Sequence, residues 1–193
     1  MKKLLLITFL SSIIFTYGQN KEGKFAIEKG TWNYEGQFSL NFIDAAPRGI
    51  QVGYTFKDNW VIGLGLEDIN TAISPKQPTL IEQGGSAYAF VKKYFPIGKK
   101  LAFSIQGNIG YTRLKRGLKF GDTLNRTDNI NQYSLNLRPE LTYFLSKNVA
   151  VKMGFGSIDY GFRNFDTHNS NTSYFDFNTL DPAHYTFGII LNF

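Results

Sequence analysis

No cysteine occurs in the 193 residues. Disulfides, thiolate metal sites, cysteine nucleophiles and a lipid-anchored cysteine are therefore excluded. Histidine is nearly as scarce: His168 and His184 are too few for a multi-histidine metal cage. Charged residues make up only 19% of the chain, and mean hydropathy is slightly negative. Past the first eighteen residues, no apolar run approaches the ~20 residues of a membrane-spanning helix. Aromatic side chains, by contrast, are abundant: 18 Phe, 11 Tyr and 2 Trp, 16% of all residues. That content rules out a disordered chain, and the length suits a single domain.

The first eighteen residues read as an export signal. Lys2 and Lys3 form a cationic start, and Leu4 to Phe15 is an apolar core interrupted only by Thr8, Ser11 and Ser12. Thr16-Tyr17-Gly18 supplies small residues at the −3 and −1 positions of a cleavage site before Gln19. Residues 1–18 are thus expected to be a signal peptide and 19–193 a single mature domain. Loss of Lys2 and Lys3 lowers the formal charge from +6 to +4. In an exported chain this modest balance points to anionic lipid or polysaccharide nearby. No basic stretch is interleaved with stacking aromatics, so nucleic acid is not an expected partner.

The mature chain alternates. Trp32, Tyr34, Gly36, Phe38, Leu40 and Phe42 stand against Asn33, Glu35, Gln37, Ser39 and Asn41. A period of two puts one set on each face of a strand. The same division recurs over Ile50–Phe56, Trp60–Glu67, Leu101–Thr112, Tyr133–Tyr143, Val149–Gly156 and His184–Phe193. An eighth strand, Ser86 to Phe95, has an ambiguous phase because Lys92 and Lys93 are adjacent. Eight strands of about ten residues have the length that crosses a bilayer when tilted. The links alternate too. Short polar turns (Lys57–Asn59, Pro96–Lys100, Ser146–Asn148) separate longer connections at Ile43–Gly49, Asp68–Gly85, Leu114–Gln132 and Gly161–Pro182. Short turns at one end and long loops at the other indicate an all-β, eight-stranded antiparallel up-and-down transmembrane β-barrel.

Alternation alone also fits a soluble, lipocalin-like periplasmic barrel with its apolar face inward. The polar phase argues against it, being mostly Gly, Ser, Thr, Asn and Gln rather than the charged residues of a wet exterior. Small polar residues suit the narrow interior of eight strands. The charges in that phase balance: Glu35, Glu67 and Glu140 against Lys92, Arg138 and Lys152, provided Lys92 points inward. Buried charges must be paired, so these six are expected to form an interior charge network. Trp60, Tyr94, Tyr111, Tyr133, Tyr143 and Tyr185, near strand ends, are expected in interfacial girdles.

The chain ends in an alternating strand, Tyr185, Phe187, Ile189, Leu191 and Phe193, finishing on Phe. This resembles the assembly signal of Gram-negative outer-membrane barrels. Gly30-Thr31-Trp32, Gly53 to Trp60, Phe90 to Pro96 and Leu141 to Ala150 resemble successive blocks of the small outer-membrane β-barrel family of Bacteroidetes, related in architecture to OmpA and OmpX. The resemblance implies an eight-stranded barrel with both termini in the periplasm. It also implies outer-membrane location in a Gram-negative bacterium and dealings with the barrel-assembly machinery. Lys93 departs from the pattern, where an aromatic is expected, and at a strand end it can snorkel to headgroups.

No catalytic, cofactor or metal site is read from the sequence. The enzymatic alternative, a lipid A acyl hydrolase or transferase, requires a nucleophile, base and carboxylate in reach of one another. Its candidates are Ser170 or Ser173 with His168 or His184 and Asp166, Asp176 or Asp181. The Arg113–Asp128 link carries Arg113, Lys115, Arg116, Lys119 and Arg126, of which Arg113, Lys115 and Arg116 are candidates for contact with lipopolysaccharide phosphates. Asp159, Asp166, Asp176 and Asp181 form an acidic counterpart that a divalent cation would suit. The expectation is a structural or surface-interaction protein acting through its long loops on outer-membrane lipid, lipopolysaccharide or an extracellular ligand. A small-solute pore is the other alternative.

Overall fold

The period of two runs much further along the chain than its hydrophobic alternation. The computed structural model describes residues 27–41, 44–72, 79–120, 123–166, 170–179 and 184–193; residues 1–18, expected to be a signal peptide, lie outside them. Ten strands follow in order: β1 (Trp32–Asn41), β2 (Asp44–Lys57), β3 (Trp60–Ala72), β4 (Thr79–Pro96), β5 (Leu101–Phe120), β6 (Thr123–Phe144), β7 (Val149–Phe155), β8 (Ile158–Phe165), β9 (Ser170–Phe177) and β10 (Tyr185–Asn192). Every pairing is antiparallel, β5 pairs with β6, and β1 pairs with both β2 and β10. The sheet thereby closes on itself. Strands β7 and β8 share one wall position beside β6, and β9 and β10 continue the next, so eight crossings make a closed antiparallel barrel.

The division of β7 from β8 has a local cause. Gly156 has φ +79°, and the carbonyl of Asn178 lies where a Cβ would sit, 2.2 Å from it. Only glycine meets both conditions without strain. The amide of Asn178 donates to the Ser157 carbonyl at 2.9 Å, so the chain between β9 and β10 is tied to the same bend.

The long connections are corrected by the structure. Asp68–Gly85, Leu114–Gln132 and Gly161–Pro182 are largely strand: β3 runs to Ala72, β5 to Phe120, and β8 and β9 pair from Ile158↔Phe177 to Phe165↔Ser170. Through these stretches β3 pairs with β4, β4 with β5, β5 with β6, and β8 with both β6 and β9, so they extend the barrel sheet beyond its belt. Their inward face mixes the buried apolar Leu114 and Ile130 with Glu82 and Arg116, and their outward face carries Arg113 and Lys115, so neither face is uniformly apolar and alternation fails to mark them.

At the short-turn end the chain plugs its own barrel. Ile27 exchanges backbone and side-chain hydrogen bonds with Asn59, and Gly30 donates to the Thr55 carbonyl. Ile27 is buried against Val61, Phe90, Tyr94, Phe144 and Ile190. The interior is therefore polar only above an apolar floor, a layer that the reading of a wholly polar lumen misses. Tyr94 belongs to this floor and not to a girdle, because β4 turns Tyr88, Phe90, Lys92 and Tyr94 inward.

Candidate functional site: a filled lumen and an apolar belt

The phase of β4 places the two adjacent lysines on opposite faces. Lys92 is 1% exposed, inside the barrel. Lys93 lies outside, its Nζ 4.8 Å from the Trp60 ring centroid and 5.0 Å from that of Phe95. Contacts of that kind keep an ammonium at the edge of an apolar surface.

Inside, four charges from four strands close a ring. Lys92 Nζ lies 2.9 Å from Glu35 and 2.9 Å from Glu140. Lys152 Nζ contacts the same two carboxylates through their other oxygens. All four side chains are almost wholly buried. Alternating signs give each charge two opposite neighbours, the condition under which burial of ions is tolerable.

An amide network continues from this ring. Gln51 Nε2 donates to Glu35 at 2.7 Å and Gln37 Nε2 to the same carboxylate at 3.0 Å. Gln51 Oε1 accepts from Gln106 Nε2 and from the Tyr88 hydroxyl, each at 3.1 Å. Gln106 donates to Asn108 at 2.8 Å, and Asn108 to Asn136. The chain of bonds passes β1, β2, β5 and β6 across the lumen. The Tyr88 ring lies over its cross-strand neighbour Gly65 on β3, which leaves room for it: a Cβ there would meet the ring at 2.2 Å.

Arg138 and Glu67 form a two-point pair between β6 and β3, with one contact at 3.1 Å, and the guanidinium lies over Tyr88. Arg48 joins this group, lining a cleft of about 30 Å³ with Gln37, Arg138, Glu140, Ser157 and His184. That is room for about one water. Arg48 falls within the Ile43–Gly49 stretch read as a link, so its inward position was not visible in the sequence. Beyond it, Arg116 donates from Nε to Glu82 at 2.9 Å and stacks on Phe165. The six residues Glu35, Glu67, Lys92, Arg138, Glu140 and Lys152 thus all face the lumen, in two groups.

Outside, the pattern inverts. Leu64 is 69% exposed, Ile109 67% and Ile50 62%, in a belt with Val52, Leu66, Leu135, Leu137, Ile189 and Leu191. Aromatic pairs border it: Trp32–Tyr54 and Phe56–Trp60 towards the short turns, Tyr111–Tyr133 and Tyr160–Phe162 towards the extensions. Along β5, Phe103 and Tyr111 are separated by about 27 Å of strand, roughly 20 Å along the barrel axis at a usual tilt. No described helix is long and apolar enough to cross a membrane.

The terminal strand β10 pairs with β1 from Asn33↔Asn192 to Ser39↔Thr186. Trp32 and Phe193 exchange backbone hydrogen bonds of 2.8 and 2.9 Å, and the Phe193 ring lies edge-on to Tyr34 at 5.8 Å. Phe187, Ile189, Leu191 and Phe193 point outward.

The remaining candidates separate. Arg113 and Lys115 are exposed on the outer face of β5, but Arg116 faces the other way onto Glu82, because what reads as a loop is a strand and alternation splits the three. The side chains of Lys119 and Arg126 lie outside the described ones. So do His168 and Asp181. Ser173 stands opposite Phe162, whereas His184 precedes Tyr185, which stands opposite Phe155. Roughly 20 Å of strand separates the two registers, so Ser173 and the more distant Ser170 are out of reach of His184. Asp159 accepts from Ser157 and is level with Asp176, while Asp166 accepts from Asn131. Among the described residues, no group of three or more His, Asp or Glu is placed to hold a metal ion.

Fold and site together define a closed eight-stranded antiparallel barrel with a packed polar interior and an apolar outer belt. The chain covers 98% of the N-terminal β-barrel domain of Pseudomonas aeruginosa OprF over 86% of its own length, with TM-score 0.53 and 14% identity. It is also matched with Ail, the attachment invasion locus protein of Yersinia pestis, over 86% of this chain and 99% of Ail, at TM-score 0.39 and 10% identity. A second Ail structure, in complex with the heparin analogue sucrose octasulfate, gives TM-score 0.38 at 10% identity over 84% and 96% of the two chains. No protein-family model and no curated protein matches the chain.

Proposed function

We propose that this chain is an outer-membrane β-barrel protein with a closed interior, exported by its signal sequence, with a structural or surface-interaction role. The observation that carries this reading is the inversion of polarity: aliphatic side chains stand exposed around the belt, while lysines and glutamates are buried inside. Water rewards neither arrangement, and hydrocarbon around a sealed wall rewards both. The blocks resembling the small outer-membrane barrel family of Bacteroidetes support the same assignment.

In this reading the short turns and both ends of the mature chain face the periplasm, and the strand extensions stand outside the cell. The outward side chains of β10 and the terminal Phe193 engage the barrel-assembly machinery. Arg113 and Lys115, on the outer wall beyond Tyr111, meet the lipopolysaccharide phosphates, and the extensions present the surface for an extracellular ligand. The role is non-enzymatic, supported by the separation of Ser173 from His184. The packed lumen speaks against a pore.

Expression of the full chain in a Gram-negative host tests the reading. The mature protein should begin at Gln19 by mass, be recovered in the outer-membrane fraction, and migrate faster unheated than boiled in a detergent gel. Recovery as a soluble periplasmic protein would overturn it.

A further inference from the structure

The outer belt is not uniform. On β4 the outward positions Ala89, Ala87 and Gly85 are small, while the strands on either side carry large residues. Register aligns Leu64, Ala89 and Ile109 on one rung, and Leu66, Ala87 and Tyr111 on the next. The result is a groove of about 710 Å³ with an alanine floor between two aliphatic and aromatic ridges. That lies in the size range of ligand sites, roughly 300–1,000 Å³. Packing against unstructured lipid does not require small residues here, since the other outward-facing strands meet it with large ones.

The groove has a polar end. The next rung places Arg113 across from Gly85, and Lys115 stands across from Gln83 on the rung after it. Both cations are exposed on the same face of β5 as Ile109 and Tyr111. Neither is paired with a described acidic side chain. Asp68 shares the rung of Gly85 and Arg113, two strands away, and makes no ion pair with Arg113. An apolar channel that runs up to two cations without an acidic partner among the described residues complements an amphiphile with an acyl chain and a phosphate.

We propose that this groove is a specific binding site for lipid A, the phosphorylated and multiply acylated lipid of the outer leaflet, with one acyl chain on Ala87 and Ala89 and a phosphate on Arg113 and Lys115. The inference rests on the outer-membrane reading above. It adds a lipid held in place, beyond lipid that merely surrounds the wall.

The test uses the full mature chain refolded in zwitterionic detergent micelles, with heat-modifiable migration required first for every variant. Failure at that step bears on the outer-membrane reading, and failure afterwards bears on the groove. Native mass spectrometry then measures retention of diphosphorylated lipid A against its dephosphorylated counterpart. The wild type should retain the diphosphorylated form in about tenfold preference. R113Q/K115Q should abolish that preference while leaving some binding. A87F/A89F, which fills the floor, should lose both forms, and Ile189→Phe on the opposite wall should change neither. Equal retention of the two lipids by the wild type, or unchanged retention by A87F/A89F, would overturn the site. So would a lipid-free dimer that A87F/A89F converts to monomer, since the groove would then be an interface between copies.

Discussion

Lys92 and Lys152, on β4 and β7, are held by the same two carboxylates, those of Glu35 and Glu140. Each lysine spans both acids, and each acid spans both lysines. The consequences for stability differ sharply between removing one member and removing a balanced pair.

Glu140→Ala leaves two buried ammonium groups on the single carboxylate of Glu35. Breaking a buried pair in this way costs about 3–5 kcal/mol. Urea unfolding in micelles, followed by loss of the fast-migrating band, should show it. The balanced replacement Glu140→Leu with Lys152→Met should cost clearly less than the sum of its parts. If the two single changes simply added, the four groups would not be acting as a ring.

Gly65→Ala puts a methyl group 2.2 Å from the Tyr88 ring, whose hydroxyl donates to Gln51. Overpacking of this kind costs about 1–3 kcal/mol. Shortening the ring in Gly65→Ala/Tyr88→Leu should recover part of the loss, measured by the same unfolding midpoint. An equal or larger loss in the double variant would mean that the ring is not what the methyl group meets.

Deleting Phe193 removes both backbone hydrogen bonds to Trp32 and the ring against Tyr34. The fraction of expressed chain that reaches the heat-modifiable form should fall several-fold. Phe193→Ala keeps the backbone bonds and lacks the ring. If it assembles as poorly as the deletion, the ring carries the effect; if it assembles normally, barrel closure does. Full assembly of the deletion itself would refute a role for either.

Purified protein in planar bilayers should give no steady conductance, because an apolar floor, a charge ring and an amide network together fill the lumen. Arg138→Ala should not open it, since that residue pairs with Glu67 and leaves the floor, the ring and the amide bonds in place. A steady ionic current from the wild type would contradict the packed interior.

The barrel was legible where one face is apolar and the other polar, as in Trp32–Phe38 and Tyr133–Tyr143. It was illegible where that contrast disappears. In β4 the rule reverses: large aromatics Tyr88 and Phe90 point inward and small Ala87 and Ala89 outward, so hydropathy gives no phase and adjacent Lys92 and Lys93 cannot be told apart. Val61, Ala102 and Ala150 are inward and apolar because they line the plugged end, against the expectation of a polar lumen. In β9 nearly every residue is exposed, so Ser170–Phe177 pairs through its backbone and leaves no side-chain pattern. Arg48 and Arg116 face inward unannounced for the same reason, both lying in strands that read as loops. Five inward charges, Glu35, Glu67, Arg138, Glu140 and Lys152, were readable because few other charges occur at polar-phase positions. Which inward charges touch was not, since partners such as Glu35 and Lys92 meet across the lumen and not along a ladder.

The charge ring also bears on how such a wall is completed. Its members come from β1, β4, β6 and β7, and the second lysine is supplied only by the penultimate crossing. A sheet that stops after β6 leaves Glu35 and Glu140 to share Lys92 alone, so that the ring lacks its second cation where uncompensated charge is costly. Lys152 supplies that cation, and the ring is closed only in a chain that contains β7. Charge pairing inside the lumen thereby ties β1 to β7, two strands away, and reinforces from within the backbone seam that β1 makes with β10.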